Sequence, residues 1–112
     1  MSNKLVKVTI NALEQMKAKD IEVLDVHDKC SFTDTMIIVT GTSNRHVKAL
    51  ANEVVIKSKA NGVIPLGVEG VEAGEWVLVD LADAVIHIML PKIREFYQLE
   101  KLWSVESLEA DV

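Results

Sequence analysis

The sequence predicts an α/β fold, a single domain in which a sheet of about five strands carries packed helices. Three observations lead there. At 112 residues and 49% apolar content, the chain has enough material for one core and too little for two. Segments whose apolar residues recur every three or four positions are interleaved with β-branched runs. Near the middle, an apolar run passes through the small polar turn Gly41-Thr42-Ser43-Asn44 straight into a helical pattern.

The elements follow in order. Leu5, Val8, Ala12 and Met16 form one helical face, with Asn3 as its cap and Lys17 and Lys19 at the negative end of its dipole. Ile21 to Val26 alternates as a strand. Thr35 to Thr40 is β-branched with no polar break, the pattern of a strand buried on both faces. After Gly41 to His46, the residues Val47, Leu50, Ala51, Val54 and Ser58 mark a second helix that Asn61-Gly62 stops. The turn before it can cradle an anion at the helix N-terminus, or Thr42 or Ser43 can simply cap the helix, which is the commoner arrangement.

Val63 to Leu66 reads as a short strand, and Pro65 places it at a sheet edge because proline lacks a ladder donor. Gly67, Gly70 and Gly74 frame a loop. Trp76 to Asp80 and Asp83 to Leu90 then form a hairpin around Leu81-Ala82. Pairing Asp80 with Asp83 sets Leu78 opposite Val85 and Trp76 opposite His87 on one face. Val77, Val79, Ala84, Ile86 and Ile88 take the other, purely aliphatic face. Pro91 opens a last helix in which Ile93, Phe96, Tyr97, Glu100 and Trp103 share a side.

Charge divides unevenly. Residues 1–60 carry 9 Lys/Arg against 7 Asp/Glu, a balance of +2, and residues 61–112 carry 3 against 10, a balance of −7, which together give the net −5. An acidic second half repels a phosphate backbone, so direct DNA or RNA binding is not its expected role. A basic protein suits it better. Glu106, Glu109 and Asp111 belong to an acidic C-terminal tail, residues 104–112, beyond the 1–103 domain. Apolar runs fall far short of a membrane span and no signal-type segment opens the chain, so the expected compartment is the cytosol. Cys30, the one cysteine, has no thiol partner for a disulfide or a zinc site.

Catalytic patterns are lacking as well. The serines sit in no nucleophile elbow, and His27, His46 and His87 are too widely spaced to act as helix-neighbour ligands. Asp25, Asp80 and Asp83 are the only carboxylates that could converge on metal for phosphoryl transfer. No catalytic residue, metal or cofactor is expected.

Several motifs nevertheless stand in a specific order. Asp34-Thr35-Met36-Ile37-Ile38-Val39-Thr40-Gly41-Thr42-Ser43 is followed by Arg45-His46-Val47-Lys48-Ala49 and Glu69-Gly70. Gly74-Glu75-Trp76-Val77-Leu78-Val79-Asp80, Asp83, Val85-Ile86-His87 and Tyr97-Gln98-Leu99-Glu100-Lys101-Leu102-Trp103 complete the series. Over roughly residues 3 to 103 the chain resembles the ribosomal silencing factor (Iojap-like) family.

That resemblance implies a mixed sheet with helices against it, similar in shape to nucleotidyltransferases but without catalytic activity. It further implies binding to the large ribosomal subunit through its fourteenth protein, which blocks the joining of the small subunit and so represses translation when nutrients are short. The matching surface comprises Glu69, Trp76, Leu78, Asp80, Asp83 and His87 together with Tyr97 and Trp103. Trp76 and Leu78 form its apolar centre and the carboxylates its rim. Two departures stand out: Thr35-Met36 where the family often has Tyr-Phe, and Leu81-Ala82 where it often has Tyr-Gly between the two aspartates. Two other readings remain open. A nucleotide-binding enzyme would use Gly41-Thr42-Ser43 for phosphates and Asp25 or Asp80 for magnesium, and a self-associating module would bury its apolar face in a homodimer.

Overall fold

The computed structural model describes residues 2–28 and 33–102, so Cys30, Trp103 and the 104–112 tail lie outside the described residues. The element order is α1 (Ser2–Gln15), β1 (Lys19–Asp25), β2 (Thr35–Thr40), α2 (Asn44–Ala60), β3 (Gly67–Glu69), β4 (Trp76–Asp80), β5 (Ala84–Met89), α3 (Pro91–Tyr97) and α4 (Leu99–Leu102). Asn3 falls inside the first helical turn instead of ahead of it.

The five strands form one mixed sheet in the order β1-β2-β5-β4-β3. Of these neighbours β2 and β5 run parallel; the others are antiparallel. The parallel pair requires a long crossover, and α2 supplies it. α1 and α2 lie on one face, where Leu5, Leu13, Val47, Leu50 and Val54 close over Ile37, Val39, Val77, Val79, Ile86 and Ile88. A smaller cluster on the opposite face gathers Val26, Met36, Ile38 and Met89 under Ile93 and Leu99. β2 is therefore buried on both sides from Met36 onward, as its unbroken β-branched pattern predicts.

Three expectations need correction. The edge strand is Gly67–Glu69, not Val63–Leu66: in the predicted segment Ile64 and Leu66 are 75% and 73% exposed, and pairing with β4 begins only once Pro65 is passed. The hairpin register is shifted, with Trp76 opposite Met89, Leu78 opposite His87 and Asp80 opposite Val85. Asp83 sits in the turn and faces no carboxylate across the ladder. Because the shift is by two residues, every side chain keeps its predicted face. Lastly, the final helix is two pieces, broken at Gln98, whose φ of 49° lies in the left-handed region.

The candidate partner face

The site is the sheet face that α1 and α2 leave uncovered, at its β4–β5 side. Alternation puts Trp76, Leu78 and Asp80 of β4 on it with Val85, His87 and Met89 of β5. Glu69 pairs with Leu78 across β3–β4 and so shares that face. Val85, His87 and Met89 are buried, whereas Trp76, Leu78 and Asp80 are only partly covered. The Trp76 indole N–H donates to His87 Nδ1 at 3.0 Å, and its ring meets Tyr97 at a centroid distance of 4.8 Å. Phe96 packs edge-on against Tyr97 at 4.9 Å.

The hydrogen bond from Trp76 fixes His87 as a neutral imidazole with an accepting Nδ1. Burial reinforces this by pushing its pKa down to about 4. His87 is thus a positioning residue that holds the indole on the face. Tyr97 and Phe96 remain 51% and 78% exposed, so α3 presents its aromatics outward and buries none of its own residues. Aromatics at this helical spacing can fill a core or anchor an interface; α3 ends after seven residues, and of its apolar side chains Ile93 packs on the smaller cluster. Phe96, exposed beside Tyr97, is the aromatic of this face that the sequence reading did not include.

The rim carboxylates are placed differently from one another. Asp80 Oδ1 accepts the Ala82 N–H at 2.9 Å, so this carboxylate is partly committed to shaping the turn. Asp83 is exposed, and its carbonyl accepts the Asp34 and Thr35 N–H groups, tying the turn to the start of β2. The structure brings Glu69, Trp76, Leu78, Asp80, His87 and Tyr97 together, with Asp83 at the end of the hairpin; Trp103 lies outside the described residues.

The phosphate-and-magnesium arrangement is not assembled. Ser43 caps α2, its Oγ accepting the His46 N–H at 3.1 Å, and the Thr42 N–H is taken by His46 Nδ1 at 2.9 Å. Gly41 serves packing: a Cβ there would sit 2.7 Å from a Val47 methyl. Asp25 pairs with Thr35 at the far end of β2, about 20 Å of extended strand from Gly41. β1 and β4 are three strand spacings apart, about 14 Å, so Asp25 and Asp80 do not converge. Among the described residues no group of three or more His, Cys, Asp or Glu side chains is placed to hold a metal ion.

Comparison with known proteins decides the lineage. The family described as ribosomal silencing factor during starvation matches residues 1–112. The chain belongs to the ribosomal silencing factor family. Within it, the chain is 54% identical over 97 residues to the ribosomal silencing factor of Chromobacterium violaceum, covering 87% of this chain and 80% of that one. It is 45% identical over 100 residues to the silencing factor of Haemophilus influenzae, covering 89% and 98%. A mouse protein named for mitochondrial assembly of the ribosomal large subunit is 36% identical over 109 residues, covering 93% of this chain and 47% of the mouse protein. A crystal structure of a Chromobacterium violaceum protein superposes with a TM-score of 0.89 at 51% identity, covering 90% of this chain and 84% of that one. Silencing-factor membership and the mixed α/β fold therefore agree.

Proposed function

We propose that this silencing factor docks its β4–β5 face on the fourteenth protein of the large ribosomal subunit and thereby excludes the small subunit. One observation carries the reading. The Trp76 indole, partly exposed, is held by its bond to His87 and flanked by the outward aromatics of α3, on the sheet face that the two long helices do not cover. A large, stiff aromatic so placed is a typical interface anchor. Glu69, Asp80 and Asp83 border it with negative charge, which suits a basic partner and speeds encounter. The mouse relative's name, with its reference to the ribosomal large subunit, supports the same particle as partner. No bond is made or broken; occupancy alone represses translation, in the cytosol, without membrane or DNA.

Sedimentation of purified subunits tests this. The protein should co-migrate with the large subunit and reduce the fraction of joined particles. Migration with the small subunit alone, or undiminished joining, would reject it. The unpaired outer edge of β3, with Ile64 and Leu66 exposed beside it, supports homodimerisation off the ribosome as an additional state of the same protein.

A further inference from the structure

A cleft of about 550 Å³ opens where β2 and β5 end, between the sheet and α3–α4. In open α/β sheets, the crevice outside the carboxyl ends of parallel strands is the usual ligand position. Here it lies next to the parallel pair, with Thr40 closing β2 and Thr42 leading into α2. Its volume lies in the range that holds small metabolites.

The lining is specific. Lys19, Arg94 and Lys101 converge from β1, α3 and α4. Three cations meet here in a chain of net charge −5. Arg94 is set in place: its side chain is 11% exposed, and Nη1 donates to the Asp20 carbonyl and to Thr40 Oγ1, the latter at 2.9 Å. Glu22 stands 3.9 Å from its Nη2. A guanidinium aligned by neighbouring oxygens is well suited to recognise a tetrahedral oxyanion.

Backbone irregularity gathers around the same spot. Asp20 and Gln98, both lining the cleft, have φ of 51° and 49°, in the left-handed region that side chains disfavour. The β1–β2 register breaks between Lys19 and Glu22. Such bulges and outliers recur beside binding sites.

Two carboxylates, Asp20 and Glu95, share the wall with the cations. They would repel a polyphosphate but can accept hydrogen bonds from hydroxyl groups. Among the described residues no aromatic lines the cleft to stack on a base. We propose that this cleft binds a phosphomonoester of a small polyhydroxylated molecule, with Lys19, Arg94 and Lys101 facing the phosphate and Asp20 and Glu95 the hydroxyls. The ligand class is a sugar phosphate. α3 also carries Tyr97, so occupancy would be linked to ribosome docking; that consequence rests on the function proposed above, whereas the binding itself does not.

Isothermal titration of the full chain with ribose 5-phosphate tests the site on the isolated protein. Saturable one-to-one binding is expected, tighter than for inorganic phosphate, with no heat from ribose. The double variant Lys19→Gln/Lys101→Gln should weaken it by about tenfold, while Lys7→Gln/Lys59→Gln, with the same charge loss elsewhere, should leave it unchanged. Absence of saturation, equal weakening in both double variants, or preference for the phosphodiesters of a short RNA would each overturn the assignment.

Discussion

Trp76 and His87 form a pair in which each residue limits the other. The indole needs an acceptor, and the buried imidazole supplies one only while neutral. Folding depresses the His87 pKa from 6.5 to about 4, so its stabilising effect is complete above pH 6.5 and is lost progressively as pH falls toward 4. The loss amounts to about 3 kcal/mol at most. Denaturant unfolding measured across that interval should show the decline, and His87→Gln, which keeps an acceptor, should flatten it. The exposed His27 runs the other way, since its hydrogen bond to Asp25 raises its pKa and favours the charged form; an unchanged slope in His27→Gln would assign the effect to His87.

Binding separates the residues too. Trp76→Ala should weaken large-subunit binding by about 2 kcal/mol or more, against about 0–1 kcal/mol for Asp83→Ala. Phe96→Ala gives a cleaner measure of the aromatic share, because a side chain 78% exposed contributes little to the fold. Equal small losses in all three, with folding verified by circular dichroism, would contradict this division.

At the scale of elements, the hairpin turn decides how the face is built. Leu81 is 2% exposed and anchors the turn in the core, while its N–H donates to the Ala84 carbonyl at 2.9 Å. Ala82 follows with φ 73°, in the left-handed region. A glycine would adopt that conformation without strain. Here the Asp80 side chain, accepting the Ala82 N–H, helps hold an alanine there. Ala82→Gly should therefore stabilise the domain by about 0.5–1 kcal/mol, the relief of strain exceeding the added unfolded-state entropy. A thermal melt that moved downward would contradict this.

Gly70, between β3 and β4, represents the opposite case. Its φ is 87°, and a Cβ would collide with the Trp76 carbonyl oxygen. Gly70→Ala should cost at least about 2 kcal/mol and displace the first residue of β4. Chemical denaturation would register the loss, and indole fluorescence would report the displacement.

For the whole molecule, charge is unevenly placed. Arg45, Lys48, Lys57 and Lys59 all lie on α2, whereas Glu69, Glu72, Glu75, Asp80 and Asp83 lie on β3, β4 and their turns. Glu69 and Asp80 thus border the partly exposed indole on its own sheet face, with Asp83 at the end of the hairpin. Raising salt should slow association with the large subunit more than it speeds dissociation, because rim charges act mainly on encounter; rapid-mixing kinetics at two ionic strengths would show it.

Much of this was legible in the chain itself. Period-two and period-three-to-four patterning determined which segments become strand and helix, and which residues share a sheet face, because those alternations follow from backbone geometry alone. The motif order determined the family. What sequence could not decide was long-range or hinged on one dihedral. Leu81-Ala82 carries no strong turn signal, so the register emerged only from Leu81 docking in the core and Asp80 bonding Ala82. Gln98 in the left-handed region ends α3, whose Phe96 and Tyr97 stay largely exposed, a placement that their spacing left open. The cleft joins residues from 19 to 101, whose side chains meet only after β1, α3 and α4 have packed. Local patterning fixes the identity of each element; their mutual placement is a balance of tertiary contacts, and that balance alone left the indole partly exposed.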